Sequence, residues 1–438
     1  MSKSADVFII GAGITGLACA MASGRRVFES LDQPGGICSS YYVRPGDGRR
    51  LPQPPDDDEV YRFELGGGHW IHSGDPVVLH LINSLAPLKQ YRRIASIYFS
   101  KHDHYVPYPI QNHLAHLGKD LAARALAEMM SAPRGHPPTM ADWLEQSFGK
   151  TLTELFFAPF HELYTAGLWT RIGPQDAYKS PVDVSAAIRG AFETTAPAGY
   201  NTTFAYPRHG LNHLIQRMQE QCQIGYGKHV THIDTRRKEI SFADGVVVGF
   251  RSLISTVPLN QIMTMTGLPV DDEPDPWTSV LVLNIGAQRG ERCPNDHWLY
   301  IPDSGCGFHR VGFYSNVDVS FLPRSARQDS SKVGIYVERA YPGGNRPDDS
   351  EIHDYSQAVV KKLQEWQYIG DTEVVDATWI DVAYTWSWPG SHWKAEALRV
   401  LGEHDIHQVG RYGRWGASQS IAESMRDGLM VGGAARLL

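Results

Sequence analysis

An α/β chain is predicted, in which a dinucleotide-binding sheet is interrupted by a helical insertion and followed by a mostly antiparallel sheet. Three observations predict it: a buried strand at residues 7–10 that runs straight into a glycine turn, a mostly helical stretch over about 114–200, and a return of β character from residue 230. At 438 residues the chain exceeds what one hydrophobic core usually supports, so two or three domains are expected.

Residues 7–10 are the short apolar run of a buried parallel strand. Gly11-Ala-Gly-Ile-Thr-Gly16 turns it into a small-residue helix over 17–23, and a second strand, 26–29, ends on Glu29. Residues 41–61, rich in proline, glycine and charge, read as an exposed insertion or hairpin. Residues 91–109 alternate as two strands around the polar turn 101–104. Helical patterning covers 117–130 and 140–168, broken at 132–138. Residues 230–233, 239–242 and 246–250 form a meander turning at Asp244-Gly245, and 253–256 is a buried strand ending at Pro258. Residues 280–285, 298–301, 311–314, 332–340 and 373–384 suit a second sheet, with a helix at 356–368, and a strand-turn-helix over 406–438 closes the chain. The expected domains are 1–90 with 205–262 and 396–438, a helical unit over 113–204, and an antiparallel-sheet unit formed by 91–112 with 263–395.

A net charge of −7 and a pI near 6.2 argue against nucleic-acid or anionic-membrane partners, so an anionic ligand needs local arginines. The five cysteines lack zinc or CxxC spacing and read as reduced thiols. No apolar run approaches the roughly 20 residues of a membrane span, and the first strand starts too early to leave room for a signal peptide. A cytoplasmic protein is expected. Eleven Trp, 20 Tyr and 15 Phe are enough to line a cavity for a flat ligand.

The glycine turn carries backbone chemistry. Gly11 permits the tight turn, Gly13 lets a pyrophosphate approach, and Gly16 lets helix and strand pack, while the helix N-terminus faces the phosphate. A GxGxxG turn alone is weak, but four additions follow in order: Glu29, placed for ribose hydroxyls; Asp32-Gln-Pro-Gly-Gly36, with Gly35 and Gly36 as further donors; the return segment with Val230 beside adenine and Thr256 beside the cofactor; and Gly410-Arg-Tyr-Gly-Arg-Trp415 before the last helix. Together they predict a Rossmann-type FAD-binding domain. Thr15, Ser30, Ser424 and Met425 complete the expected contacts. NAD, the nearest competitor, would not need both ends of the chain to converge on one cofactor.

With these segments and the motifs below, the chain resembles the UDP-galactopyranose mutase family, in particular its eukaryotic-type branch, within the amine oxidase and protoporphyrinogen oxidase superfamily. Glu64-Leu-Gly-Gly-Gly-His69 is similar to the family's glycine-histidine loop, which implies Gly67, Gly68 and His69 at the flavin's N5 edge; His72 stands where the family often has an aromatic. Val106-Pro-Tyr-Pro-Ile-Gln-Asn112 resembles its VPYPFQN, which implies Tyr108 and Gln111 at a uracil. Leu163-Tyr-Thr-Ala-Gly-Leu-Trp169 and the stretch from Asn201 imply Trp169 near the nucleotide and Asn201 near sugar and phosphates. Trp298-Leu-Tyr-Ile-Pro-Asp with Phe308-His-Arg310 matches WLYFPED…FYR, which implies Tyr300, Arg310 and Arg411 at the diphosphate. Ala417 and Ile421 replace a family tyrosine and asparagine, and Trp388 falls near another tyrosine.

The resemblance implies a non-redox mutase that interconverts pyranose and furanose forms of a UDP-linked sugar, with N5 of reduced FAD as nucleophile and Gly68, His69, Arg310 and Arg411 at the reacting groups. No metal is required, and NAD(P)H enters only as a reductant. An FAD-dependent oxidase or dehydrogenase acting on an amine, sugar or ring substrate is the alternative, and a flavin-stabilised binding protein a third. Oligomeric state is left open.

Overall fold

In the computed structural model, which describes residues 6–72, 74–131, 135–175, 182–193, 202–416 and 419–437, Asp6–Ile10 occupies the middle of a seven-stranded sheet. Val27–Phe28 and then Ile224–Gly225 lie parallel on one side, and Val247–Ser255 on the other. That last strand is shared. Its first half pairs antiparallel with Glu239–Phe242, which leads to Val230–Asp234, and its second half pairs parallel with Ile406–Gln408. The meander expected from the Asp244-Gly245 turn therefore runs without a break into the buried strand read as separate.

The helix after the glycine turn, Ile14–Ser23, is ten residues long and packs on the C-terminal helix Ile421–Ala435. Gly428 and Gly432 make that approach possible: a Cβ at either would lie 2.2 or 2.3 Å from the carbonyl oxygens of Thr15 and Cys19. The two ends of the chain are thereby joined.

The second seven-stranded sheet runs Ile369–Thr385, Trp277–Arg289, Lys332–Pro342, Arg310–Phe313, Trp298–Tyr300, Ala95–Phe99, His104–Pro107, antiparallel except between Trp298–Tyr300 and Ala95–Phe99. Alternation divides its faces. Leu281, Leu283, Val311, Ile335 and Val337 pack with Tyr355, Val359 and Leu363 of the helix Asp349–Glu365. Val280, Val282, Tyr300, Arg310 and Glu338 project from the opposite face into a cavity. The helix starts earlier than its apolar spacing implies because Asp348 and Glu351 form a capping box before the first buried residue.

The helical insertion contains Lys119–Ser131, Met140–Leu152, Ala158–Tyr164 and Val184–Phe192. The periodicity over 140–168 is not one helix: Gly149 takes φ +77°, and a wide turn at Thr153–Phe157 follows it. Of the two alternatives for residues 41–61, an exposed insertion or a hairpin, the structure has the hairpin, but its strands are buried. Ser40–Val43 and Tyr61–Glu64 form it and include the buried Arg62 and Glu64, and the loop between them carries the proline, glycine and remaining charge. Among the described residues no helix is long and apolar enough to cross a membrane.

Candidate active site

A cavity of about 610 Å³ lies between the first sheet, the helical insertion and the inner face of the second sheet. Its glycine end is built by the turn after Asp6–Ile10. Gly13 caps Ile14–Ser23 with no side-chain hydrogen bond, leaving the first-turn amides without a side-chain acceptor from their own cap. A Cβ on Gly13 would meet no protein atom within 4 Å, so the turn faces open space. Glu29 is buried at the end of its strand, accepting from the Ala12 amide at 2.6 Å and the Leu31 amide at 3.0 Å, with Ser30 Oγ donating at 3.1 Å. Uncapped amides, an open glycine rim and a carboxylate fixed beside them fit the pyrophosphate and ribose of a dinucleotide. Gly11, Thr15, Gly35, Gly36, Thr256, Gly410 and Ser424 line the same space.

Four expected cofactor residues do not line it. Gly16 serves packing: its Cβ would lie 1.9 Å from Gly11 O. Gly67 shapes the loop at φ +77° against Glu338 and Tyr336. Val230 is buried with Phe28 and Phe242, and Met425 is fully buried between the two joined helices and the sheet. Each supports the cavity from behind.

Gly68 and His69 reach the wall from the loop after Tyr61–Glu64. Tyr336 presses on this loop, so a Cβ on Gly68 would lie 2.1 Å from its hydroxyl. Burial pushes the His69 imidazole down to about 4, with Arg411 and Arg310 acting in the same sense and Glu338 against them, so the ring is neutral near pH 7. His72 also lines the cavity, its ring edge-on to Phe204.

The sheet supplies the charged groups. Register places Tyr300 opposite Arg310, and Arg310 opposite Glu338, so the three form a row on one face of adjacent strands. Arg310 Nε donates to Glu338 Oε2 at 2.9 Å and Nη2 to Oε1 at 2.5 Å. Burial opposes ionisation of Glu338, yet the Arg310 guanidinium overrides it and holds the carboxyl near about 2. Burial lowers the pKa of His309, which packs on the other side of Glu338 with Nε2 3.7 Å from Oε2. Arg411 enters from the C-terminal turn, donates to Ala383 O at 3.3 Å and lies 5.7 Å over the Tyr384 ring. Glu338, His309 and Tyr384 were not singled out from the sequence, although Tyr384 opens the Tyr384-Thr-Trp-Ser-Trp segment and His309 sits inside the arginine motif.

Beyond the arginines the wall is aromatic. Tyr300 packs on Tyr108 with the rings tilted and their centroids 4.4 Å apart and meets Phe160 edge-on at 5.6 Å, and Tyr164 meets Tyr384 and Trp386 at 4.7 and 5.5 Å. Three expected substrate residues lie elsewhere. Gln111 is buried in the turn Ile110–Asn112, outside the cavity lining. Trp169 turns away to donate to Glu162 Oε2 at 2.9 Å. Trp388 lies past the end of its strand, where its indole donates to Pro274 O at 3.1 Å and stacks with Arg171. Trp386, two residues earlier, lines the cavity instead. Asn201 and Ala417 lie outside the described residues. Cys38 also lines the cavity, its thiol pushed up to about 12, mainly by burial and further by Glu64, so it is no thiolate nucleophile. Among the described residues no group of three or more side chains is arranged to hold a metal ion.

The fold recurs in solved structures. The fold matches that of a UDP-galactopyranose mutase. The crystal structure of that reduced enzyme superposes with a TM-score of 0.83 at 21% identity, over 98% of this chain and 95% of the other. A putative protoporphyrinogen oxidase from Exiguobacterium sp. 255-15 gives 0.70 at 12% identity over 99% of both chains, and cyclohexylamine oxidase from Brevibacterium oxydans IH-35A gives 0.59 at 14%, again over 99% of both. Residues 9–85 match the family model of an NAD(P)-binding Rossmann-like domain. The Rossmann-type α/β fold expected from the sequence is thus shown, and it is shared by enzymes named as mutases and as oxidases.

Proposed function

We propose that this chain is an FAD-dependent enzyme that interconverts the pyranose and furanose forms of a sugar carried on a nucleoside diphosphate, with UDP the expected carrier. The observation that supports it most is a pair of arginines, Arg310 and Arg411, which flank Tyr384 between the glycine-histidine loop and the aromatic wall. A ligand spanning that distance would put its sugar at Gly68 and His69, its diphosphate at the guanidinium groups and its base on the rings.

When bound and reduced, FAD supplies a nucleophilic N5 for the anomeric carbon. The chain's own work is placement and charge. Glu338 fixes the Arg310 fork before any ligand arrives, so the guanidinium meets developing phosphate charge without reorganising. Arg411 adds a second cation there. Neutral His69 offers the sugar a hydrogen-bond partner and no competing positive charge. NAD(P)H would serve as an external electron source.

Calorimetric titration of UDP into the FAD-loaded protein tests the reading. Arg310→Lys and Arg411→Ala are each expected to weaken binding while FAD is retained, and unchanged affinity in both would put the diphosphate elsewhere. A redox enzyme acting on an amine or ring substrate is the second reading, favoured by the neutralisation of Arg310 by Glu338 and by the apolar wall. It predicts that such a substrate bleaches the oxidised flavin.

A further inference from the structure

We infer that Glu64 and Tyr206 are positioning residues: together they fix where Gly68 and His69 lie against a bound flavin, and the charge on Glu64 tightens that hold. The inference rests on the reading above only in that a flavin meets this loop. The loop runs between two anchors that share one strand, Thr203–Pro207. Before the loop, Glu64 Oε1 accepts from the Tyr206 hydroxyl. After it, Ile71 pairs with Ala205, and the Trp70 indole meets the Tyr206 ring edge-on at 5.2 Å. Tyr206 thus touches both ends. Ser40 Oγ donates to Glu64 Oε2 at 2.9 Å, and the Glu64 carbonyl accepts from the Gly67 amide and from Asn284 Nδ2, each at 3.2 Å.

The loop itself has little slack. A Cβ on Gly66 would lie 2.4 Å from His69 Cε1, one on Gly67 2.9 Å from Glu338 Oε1, and one on Gly68 2.1 Å from the Tyr336 hydroxyl. With protein packed behind it, a change at the anchors passes to the face that lines the cavity, Gly66, Gly68 and His69. Glu64 is 0% exposed, and burial pushes its carboxyl up to about 7 against the opposing pull of Arg62, Tyr206 and Ser40. The other titratable groups around it keep one form near neutrality. The Cys38 thiol is pushed up to about 12, the hydroxyls of Tyr42, Tyr206 and Tyr314 lie above their ordinary range, and Arg62 stays charged. Hydrogen bonds to an ionised acceptor are the stronger ones, so Glu64 holds Tyr206 and Ser40 firmly above its pKa and more weakly below it.

The test is the visible absorption band of oxidised FAD bound to the protein, recorded from about pH 5.5 to about pH 8.5. The wild type is expected to show a step centred near pH 7, and Glu64→Gln, which keeps the shape but cannot ionise, is expected to show none. His69, at about 4, titrates below that window. Tyr206→Phe leaves the ring against Trp70 and removes only the hydroxyl. It is expected to retain FAD with the band displaced from its wild-type position. A flat wild-type band, a step that survives in Glu64→Gln, or a wild-type band in Tyr206→Phe would each overturn the inference. None of the three bears on the nucleotide-sugar reading, which the UDP titration tests separately.

Discussion

Arg310 and Glu338 hold each other in place, so removing the arginine does two things at once. It takes a cation from the cavity and leaves a buried carboxylate without its partner. Arg310→Ala should therefore destabilise the fold by roughly 3–5 kcal/mol in addition to weakening UDP binding. Arg411→Ala should cost about 1.5–3 kcal/mol of binding with a much smaller fall in melting temperature. Thermal unfolding beside calorimetry separates the two, and equal melting temperatures would contradict the ion pair's role. His69 gives a second test at this scale. Its pKa falls from an ordinary 6.5 to about 4, so the unfolded chain binds the proton more readily between those values. Its contribution is complete above pH 6.5 and is lost as the pH falls toward 4. His69→Asn should flatten that part of the melting-temperature profile, and an unchanged slope would contradict the assignment. Arg310 was legible because its spacing from Tyr300 matches a motif of the family that the chain resembles, and the two lie in one hairpin. Glu338 was not, because only strand register brings a residue 28 positions away opposite the arginine.

The glycine turn is the element whose sequence says most, because its demands are steric. Its glycines nevertheless do different work. Gly13→Val would project into the open cavity and should abolish FAD retention while the circular dichroism stays native. Gly16→Ala would drive a methyl into the Gly11 carbonyl and should unfold the domain, with or without cofactor. If both variants lose flavin and fold together, the distinction fails. Other elements were legible in type but not in extent. Trp277–Arg289 exceeds its apolar run because its flanking residues, too, pair with strands on both sides. The break at Gly149 escaped notice because the apolar spacing continues through it. Trp388 and Trp169 were assigned to the substrate by motif position, but each indole donates to an acceptor outside the cavity lining.

At the scale of the molecule, the cavity exists because three distant stretches meet: the N-terminal turn, the helical insertion, and the inner face of the second sheet. The convergence of both chain ends was readable from the glycine turn and the closing strand-turn-helix. The aromatic lining was readable only as composition, since nothing local says which of many rings face inward. The same fold carries mutases and oxidases, so chemistry must be decided by what happens to electrons. The direct measurement is anaerobic turnover of UDP-galactopyranose, and of deoxy and amino analogues of its sugar, by the FAD-loaded enzyme before and after reduction with dithionite. The account predicts furanose product by chromatography from the reduced enzyme alone, with many turnovers and no reoxidation of the flavin. Flavin bleaching by substrate in the oxidised enzyme, with an oxidised product and no ring isomer from the reduced form, would contradict it.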